Sequence, residues 1–548
     1  MIRTIHKQLI RILEKGYPLF FAAACLVLAL FCFYHLDVKY VDSWDEARHG
    51  VNAYEMLQNG NYIQHTYNYE VDTWNLKPSL SYWGILLGFR LFGCSVFGLR
   101  FYSALSYLLT GILAGLWAGR KSRAGGILVL GFFCANTLPL YAHLARAGDA
   151  DSLYLLLFTI AMLAMLEWPR RREYLYVCGL CFSLAFLTKS WHAGMIGAVG
   201  GLYFLLTGEF FKLRLREWGG FLISVFLPLV LWFGWRYRSD GFSFLRQMVE
   251  VDLLARTGTS NFEGHSGPLS FYWDMVFGNT SYIYPWLVGI CGAGLLALLV
   301  YPVVGRRRES GKGKALSGQK SGSLGSFFPG WKDQKWCRYG LGLFLWFGVV
   351  FLGFSLMKTK LIWYCYPAIV PLFLGAALLL GKAVSWEGPG SGSSGKTGMD
   401  EKEQICGKRK DQFLAAAQLL LAAGCVILTV HFMQVTGDMA IRNIHGDPFQ
   451  DFLKVSASPD CPYANRDAYI QVPGEKPEQL GDWDQNRLFL AEISGNFRCQ
   501  DGGVEEFLQS ENSVLYIDRG NYGACQEELA GCQVLYLEEA FPYVVLGR

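Results

Sequence analysis

Apolar residues in this chain gather in runs of about twenty, the length that crosses the hydrocarbon core of a bilayer. The first run, Tyr17 to Leu36, follows Arg3, Lys7, Arg11 and Lys15. Ala22-Ala23-Ala24-Cys25 mimics a lipoprotein cleavage box, but the run continues to Phe33, which predicts an uncleaved anchor. Further runs lie near 99–118, 125–145, 152–168, 174–190, 193–208, 218–235, 284–303, 339–356, 361–381 and 413–432. The pattern predicts about eleven membrane helices. Ser79–Gly93 is apolar too, but shorter. With Tyr82, Trp83 and Arg90 as anchors it reads as a helix lying at the interface.

Basic residues orient these spans. Arg120-Lys121-Arg123, Arg170-Arg171-Arg172, Lys212/Arg214/Arg216, Arg306-Arg307-Arg308 and Lys408-Arg409-Lys410 all fall on the side of the N-terminus when eleven spans are threaded. The N-terminus is expected in the cytoplasm and the C-terminal segment outside, in a multi-pass protein of the cytoplasmic membrane. Loops 309–326 and 387–400 are rich in Gly, Ser and Lys and read as flexible linkers.

Composition sharpens this division. Charged residues make up 17% of the chain, against about 25% in ordinary soluble domains. The net charge of +4 hides a split: residues 433–548 carry 8 Lys+Arg against 19 Asp+Glu, and the first 432 carry 41 against 26. The expected organisation is an all-α membrane domain over 1–432, with outer loops at 37–98 and 236–283, and a small acidic α/β domain outside the membrane over 433–548. In that tail, apolar runs at Arg487–Ile493, Ser513–Ile517, Gln533–Leu537 and Tyr543–Leu546 are separated by turns. Asp482-Trp483-Asp484 reads as a solvated loop rather than a metal site. Most of the 15 Cys lie in the spans, but Cys461, Cys499, Cys525 and Cys532 form an even set in the tail. An oxidising exterior makes disulfides among them plausible, with three possible connectivities.

With the topology set, the unusual polar residues collect on the outer side. They are Asp45, Glu46, Arg48 and His49 in the first loop, Lys77 at its end, Arg146, Asp149 and Asp151 in the next turn, Lys189 and His192, then His265, and finally Lys358 and Lys360. Charges at a lipid boundary are costly unless paired or hydrated, and each one alone can be an interfacial anchor. Their convergence from separate spans points to a site. Carboxylates can activate a hydroxyl or amine or hold a divalent ion, and lysines can neutralise phosphate. Together, beside lipid, they fit a phosphate-linked lipid substrate.

The order of motifs carries a resemblance. Asp45-Glu46-Ala47-Arg48 is followed by Lys77-Pro78-Ser79-Leu80-Ser81-Tyr82-Trp83, by Arg146 with Asp151 five residues on, and by Leu187-Thr188-Lys189. His265-Ser266-Gly267-Pro268 and Lys360 with Tyr364 and Pro367 complete the series. In these motifs the chain resembles the polytopic GT-C glycosyltransferases, among them the lipid A aminoarabinose transferases and the protein O-mannosyltransferases, over roughly residues 15–385. The resemblance implies an inverting transferase of hexosyl or pentosyl groups that uses a polyprenyl-phosphate-linked sugar and a lipid, glycan or protein acceptor, with membrane lipid but no nucleic acid as partner. It makes Asp45 the catalytic base, Asp151 its assistant, and Lys77, Lys189 and Lys360 the contacts to donor phosphate. Glu46, Arg48, Arg146, Asp149, His265 and Tyr364 would support them, and a divalent ion near Asp45 and Asp151 stays open.

Departures from the family pattern stand beside these motifs. Leu76 occupies the position where the family often has Glu, His49 stands where Tyr is common, and Ser190-Trp191-His192 replaces Gly-Pro. Asp149 could take the role of Asp151. The alternative function is a transporter or flippase of lipid-linked sugars, which would carry polar residues through the membrane midplane and repeated, broken spans. A non-catalytic scaffold presenting the tail would leave the first-loop carboxylates and lysines without a purpose.

Overall fold

The computed structural model describes residues 2–42, 44–255, 265–278, 282–296, 334–385, 401–442, 446–457, 462–471 and 483–548. The expected linkers 309–326 and 387–400, the Arg306-Arg307-Arg308 cluster and Cys461 lie outside these residues.

Among the described residues, eight helices, against the eleven spans expected, are long and apolar enough to cross a membrane: Ile2–Phe33, Val96–Gly119, Asp151–Arg170, Tyr174–Leu206, Leu215–Asp240, Cys337–Leu356, Ile362–Ser385 and Gln412–Arg442. Shorter apolar helices span Leu80–Phe92, Arg123–Cys134 and Tyr284–Leu296. The protein is a multi-pass, all-α membrane protein with a small C-terminal sheet. Below, α1 is Ile2–Phe33, α2 Asp45–Asn59, α3 Leu80–Phe92, α4 Val96–Gly119, α5 Arg123–Cys134, α6 Asp151–Glu167 and α7 Tyr174–Lys189.

Two departures from the apolar pattern build the site. The run expected to span 125–145 stops as a helix at Cys134. Asn136 turns inward to accept from the Tyr284 hydroxyl at 2.5 Å, and residues 142–150 form a loop before α6. The apolar segment 174–206 is broken after Lys189 by Ser190 at φ 55°, and a short 3-10 turn follows over Ser190–Ala193. A left-handed non-glycine residue costs energy and persists only where its surroundings over-determine it.

Helix α3 has 13 residues, about 20 Å at 1.5 Å per residue, which is too short to cross a core of about 30 Å. It lies against α4 so closely that a Cβ on Gly88 would sit 2.0 Å from the Gly98 carbonyl oxygen. Only a glycine there permits that approach.

Strands β1 (Thr66–Tyr67) and β2 (Glu70–Val71) pair antiparallel in the first loop, and the tail forms a five-stranded mixed sheet in the order β4-β3-β5-β7-β6. Its strands are β3 Asp467–Gln471, β4 Arg498–Cys499, β5 Ser513–Asp518, β6 Gln533–Leu537 and β7 Tyr543–Gly547. Strand β5 is buried along its whole length, as a central apolar strand should be. The run Arg487–Ile493 belongs to a helix, α8 (Gln485–Gly495), capped by Asp484, which accepts from the Arg487 amide at 3.0 Å. Trp483 is buried and its indole donates to the Ala468 and Gln500 carbonyls, so this corner is structural. Asp482 lies outside the described residues. Cys499, Cys525 and Cys532 carry free thiols. The disulfide expectation therefore fails for these three: Cys499 is sealed in one core cluster, while Cys525 and Cys532 pack against another.

The tail does not stand apart from the membrane part. One apolar core joins Ala47, Val51 and Tyr54 of α2, Ile85 and Phe89 of α3 and Leu99 of α4 to Phe449, Phe452, Phe489 and Tyr516 of the tail. The helix that opens with Asp45 is thus half roofed by the acidic segment.

Candidate active site

Asp45 opens α2 behind Trp44, which holds φ 68°. Its carboxylate accepts from the Lys77 ammonium at 2.9 Å. Burial raises the Asp45 carboxyl, but Lys77, with His143 and His49, outweighs it and holds the group below the ordinary range. Burial likewise depresses Lys77, and Asp45, Asp149 and Asp151 more than reverse it, so the ammonium stays charged well above neutral pH.

Lys77 is delivered by an ordered loop. Asp72 accepts from Arg48 at 2.9 and 2.8 Å and from the backbone amides of Trp74 and Asn75. His65 closes on the Asn75 carbonyl at 2.6 Å. Burial would raise the Asp72 carboxyl, but the Arg48 fork overrides it and holds it at about 2. Arg48, expected at the site, turns instead to this brace and stacks on Tyr67 and Trp74.

Asp149 lies buried in the loop before α6. His143 meets its Oδ2 at 3.1 Å, and the Ala150 amide donates to its Oδ1 at 2.6 Å. Two imidazoles face it with opposite character. Burial depresses His143, but its bond to Asp149 wins and raises it. His49, fully enclosed, is pulled by burial to about 4 and is neutral at pH 7. His49 Nδ1 lies 3.7 Å from Asp149 Oδ1.

Asp151, two residues on, pairs with Lys189 inside the bundle, and its Oδ2 has no partner among the described residues. The Lys189 ammonium stands 5.3 Å from the centre of the Tyr364 ring, and His192 packs edge-on to that ring at 4.5 Å. Lys77, facing all three carboxylates, joins this pocket to Asp45.

The remaining expected residues brace the site rather than line it. Glu46 is locked to Arg100 at 2.6 Å and accepts the Gly148 amide at 2.7 Å, tying α2, α4 and the 142–150 loop together. Arg146 donates to the carbonyls of Phe31, Tyr34 and His35, capping the end of α1. His265 is exposed; its carbonyl accepts the Lys360 amide at 2.9 Å. The Lys360 ammonium turns back to the Met357 carbonyl.

His143 was not among the expected residues. It sits at φ 53°, stacks on Trp363 at 3.8 Å and lies in a predicted span, so no periodicity singled it out. Asp45, His143 and Asp149 each offer a donor atom within 4.8 Å of the others. Carboxylate oxygens with an imidazole suit a divalent transition metal, so this trio fits an ion better than the expected pair of Asp45 and Asp151. The Lys77 ammonium would have to move aside.

Over the whole chain the fold matches the crystal structure of ArnT from Cupriavidus metallidurans bound to undecaprenyl phosphate: 17% identity, TM-score 0.58, covering 97% of this chain and 98% of that one. This is the GT-C fold. Residues 76–235 match the family of dolichyl-phosphate-mannose-protein mannosyltransferases, a stretch that holds Lys77, Asp149, Asp151 and Lys189. Among curated relatives, an uncharacterized protein of Aquifex aeolicus is 29% identical over 231 residues, 41% of this chain and 45% of that protein. An undecaprenyl phosphate-alpha-4-amino-4-deoxy-L-arabinose arabinosyl transferase of Pseudomonas fluorescens is 26% identical over 380 residues, 66% of this chain and 56% of its own length. The chain thus spans about half the length of these relatives. In its GT-C core the charged side chains meet where α2, the 142–150 loop and the break after Lys189 converge.

Proposed function

We propose that this protein is an inverting glycosyltransferase that moves a sugar from a polyprenyl-phosphate carrier to a lipid, glycan or protein acceptor at the outer face of the cytoplasmic membrane. The observation that carries the reading is the Lys77 ammonium set among Asp45 at the start of α2, Asp149 in the 142–150 loop and Asp151 at the start of α6. The undecaprenyl phosphate bound to the Cupriavidus protein of the same fold supports a polyprenyl donor.

Asp45 takes the proton from an acceptor hydroxyl or amine. The freed electron pair forms the new bond to the anomeric carbon, while the carbon–oxygen bond to the phosphate breaks and its own bonding pair leaves with polyprenyl phosphate. One displacement inverts the anomeric centre. Lys77 neutralises the departing phosphate as a point charge. When it swings from Asp45 to phosphate, the carboxylate loses the partner that depresses it and becomes a stronger base, so donor binding arms the base. Asp151 orients the acceptor side, and its ion pair with Lys189, expected on donor phosphate, holds that lysine beside it. A divalent ion, where bound, would be held by Asp45, His143 and Asp149 and would supply further positive charge to neutralise phosphate. The basic loops support an N-terminus in the cytoplasm and a tail, residues 433–548, outside the membrane.

Incubation with radiolabelled polyprenyl-phosphate sugars, followed by separation of lipid, glycan and protein, tests the reading. Label is expected on one acceptor class; label released only as free sugar, or none moved, refutes it. Retained lipid-linked sugar transport with no transfer would favour a flippase. Cysteines introduced near Asp45 and labelled from the cytoplasm would refute the orientation.

A further inference from the structure

Two exposed indoles are tied by the chain to the reacting pair. Trp44 directly precedes Asp45, and Trp74 stands three residues before Lys77, at most about 11 Å along an extended chain. The Asp45 and Lys77 side chains keep 24% and 21% of their surface open, so both are reachable from solvent. Trp44 is 59% and Trp74 42% exposed. Their ring centres lie 5.8 Å apart, with the planes at 44°.

Both rings are held rather than loose. Trp44 sits at φ 68°, a left-handed conformation that a bulky residue keeps only where its surroundings over-determine it. Its carbonyl accepts the Arg48 amide at 3.0 Å. The Trp74 amide donates to Asp72 at 2.9 Å, and the Arg48 guanidinium lies 4.9 Å from the Trp74 ring centre. Arg48 is fixed in turn by its fork on Asp72. A large ring already in place loses little side-chain entropy when something stacks on it.

Their setting differs from that of a membrane anchor. Helix α3 exposes Leu87, Leu91 and Phe92, as a lipid-facing surface does. The indoles stand instead beside Asp45, Asp72 and Arg48. Aromatic faces edged by carboxylates and a guanidinium match a pyranose ring, which carries weakly positive C–H groups on its faces and hydroxyls around its rim. The C–H groups meet the negative face of an indole, and the hydroxyls meet charged hydrogen-bonding groups.

We propose that Trp44 and Trp74 form an acceptor platform that stacks on a sugar ring, so that the acceptor brings a saccharide, free or borne on a lipid, to Asp45. The platform presupposes the transfer reading and narrows its acceptor to one class.

Full-length protein in nanodiscs provides the test, read by saturation-transfer NMR with three probes: a trisaccharide, the same trisaccharide on an alkyl chain, and a Ser/Thr peptide. Wild type is expected to saturate the ring C–H protons of a saccharide probe, and the free and alkyl forms separate a glycan source from a lipid one. Trp44→Leu with Trp74→Leu should weaken saccharide binding roughly three- to ten-fold per ring, whereas Trp44→Tyr with Trp74→Tyr should keep most of it. Leucine still suits lipid, so unchanged binding in the leucine pair would mean membrane anchors and overturn the proposal. Binding of the peptide alone, or of neither saccharide, overturns it too. Melting temperatures report whether the variants fold, and Trp74→Leu alone carries the comparison where the pair does not. Radiolabelled donor added to the same nanodiscs keeps the two readings apart. Label moved to protein leaves the transferase standing and overturns the platform, and no label moved refutes the transferase itself.

Discussion

The Lys77 ammonium lies 2.9 Å from Oδ1 of Asp45, so the proposed base and the proposed phosphate contact neutralise each other until substrate arrives. Exchange of Asp45 for Asn keeps the shape and removes the proton acceptor. Transfer should fall by roughly 10²–10⁴-fold with little change in melting temperature. Lys77→Gln should instead raise the donor KM most. Initial rates against donor and acceptor concentration separate the two, and equal losses in kcat for both would argue against the division of roles.

Glu46 and Arg100 form a fully buried ion pair. Removing one partner leaves a buried charge alone, at a cost of about 3–5 kcal/mol. Arg100→Met should therefore melt far below wild type. Pairing it with Glu46→Gln should recover much of the loss, as thermal melts in detergent would show. Activity should recover less, because Glu46 also holds the Gly148 amide beside Asp149.

A Cβ on Gly50 would meet the Phe489 ring at 2.7 Å. Gly50→Ala should loosen the tail from α2, costing about 1–3 kcal/mol by overpacking. The combination with Phe489→Leu should be less damaging than the sum of the single changes. Limited proteolysis of the tail measures the seating, and unchanged protection in Gly50→Ala would contradict it.

Glu55 of α2 and Glu492 of the tail are both buried, and neither Glu492 oxygen has a hydrogen-bond partner among the described residues. Burial, reinforced by Glu55, holds the Glu492 carboxyl well above its usual value, and burial raises Glu55 as well. The folded protein therefore keeps protons that the unfolded chain loses near pH 4–5. Bound protons exceed those of the unfolded state above that point, so stability should fall as pH rises toward the raised value. Glu492→Gln should flatten this slope and stabilise the protein at alkaline pH. Melts across pH 5–9 that show parallel curves for both proteins would contradict the assignment.

The apolar runs and their lengths were enough to mark a multi-pass, all-α membrane protein with a small sheet-bearing tail, although eight described helices rather than eleven are long and apolar enough to span. Solvent-transfer energy sums along the chain, and twenty adjacent apolar residues carry their own message. The first-loop carboxylates, Lys77 and the Asp149–Asp151 pair were legible for a related reason: charges beside lipid are costly, so they stand out by type and place alone. What the linear pattern could not decide was which of those charges line the site and which brace it. Arg48 and Arg146 carry the same signal as Lys77, yet one holds Asp72 and the other caps α1. Only folding decides whether a cation finds a carboxylate or a row of carbonyls within 3 Å. His143 reached the site because its helix ended early and its backbone was forced to φ 53°, a tertiary strain with no local signature. The shared core of α2 and the tail was hidden for the same reason, since Ala47, Val51 and Phe489 are ordinary apolar residues until some four hundred positions of chain fold back to bring them together.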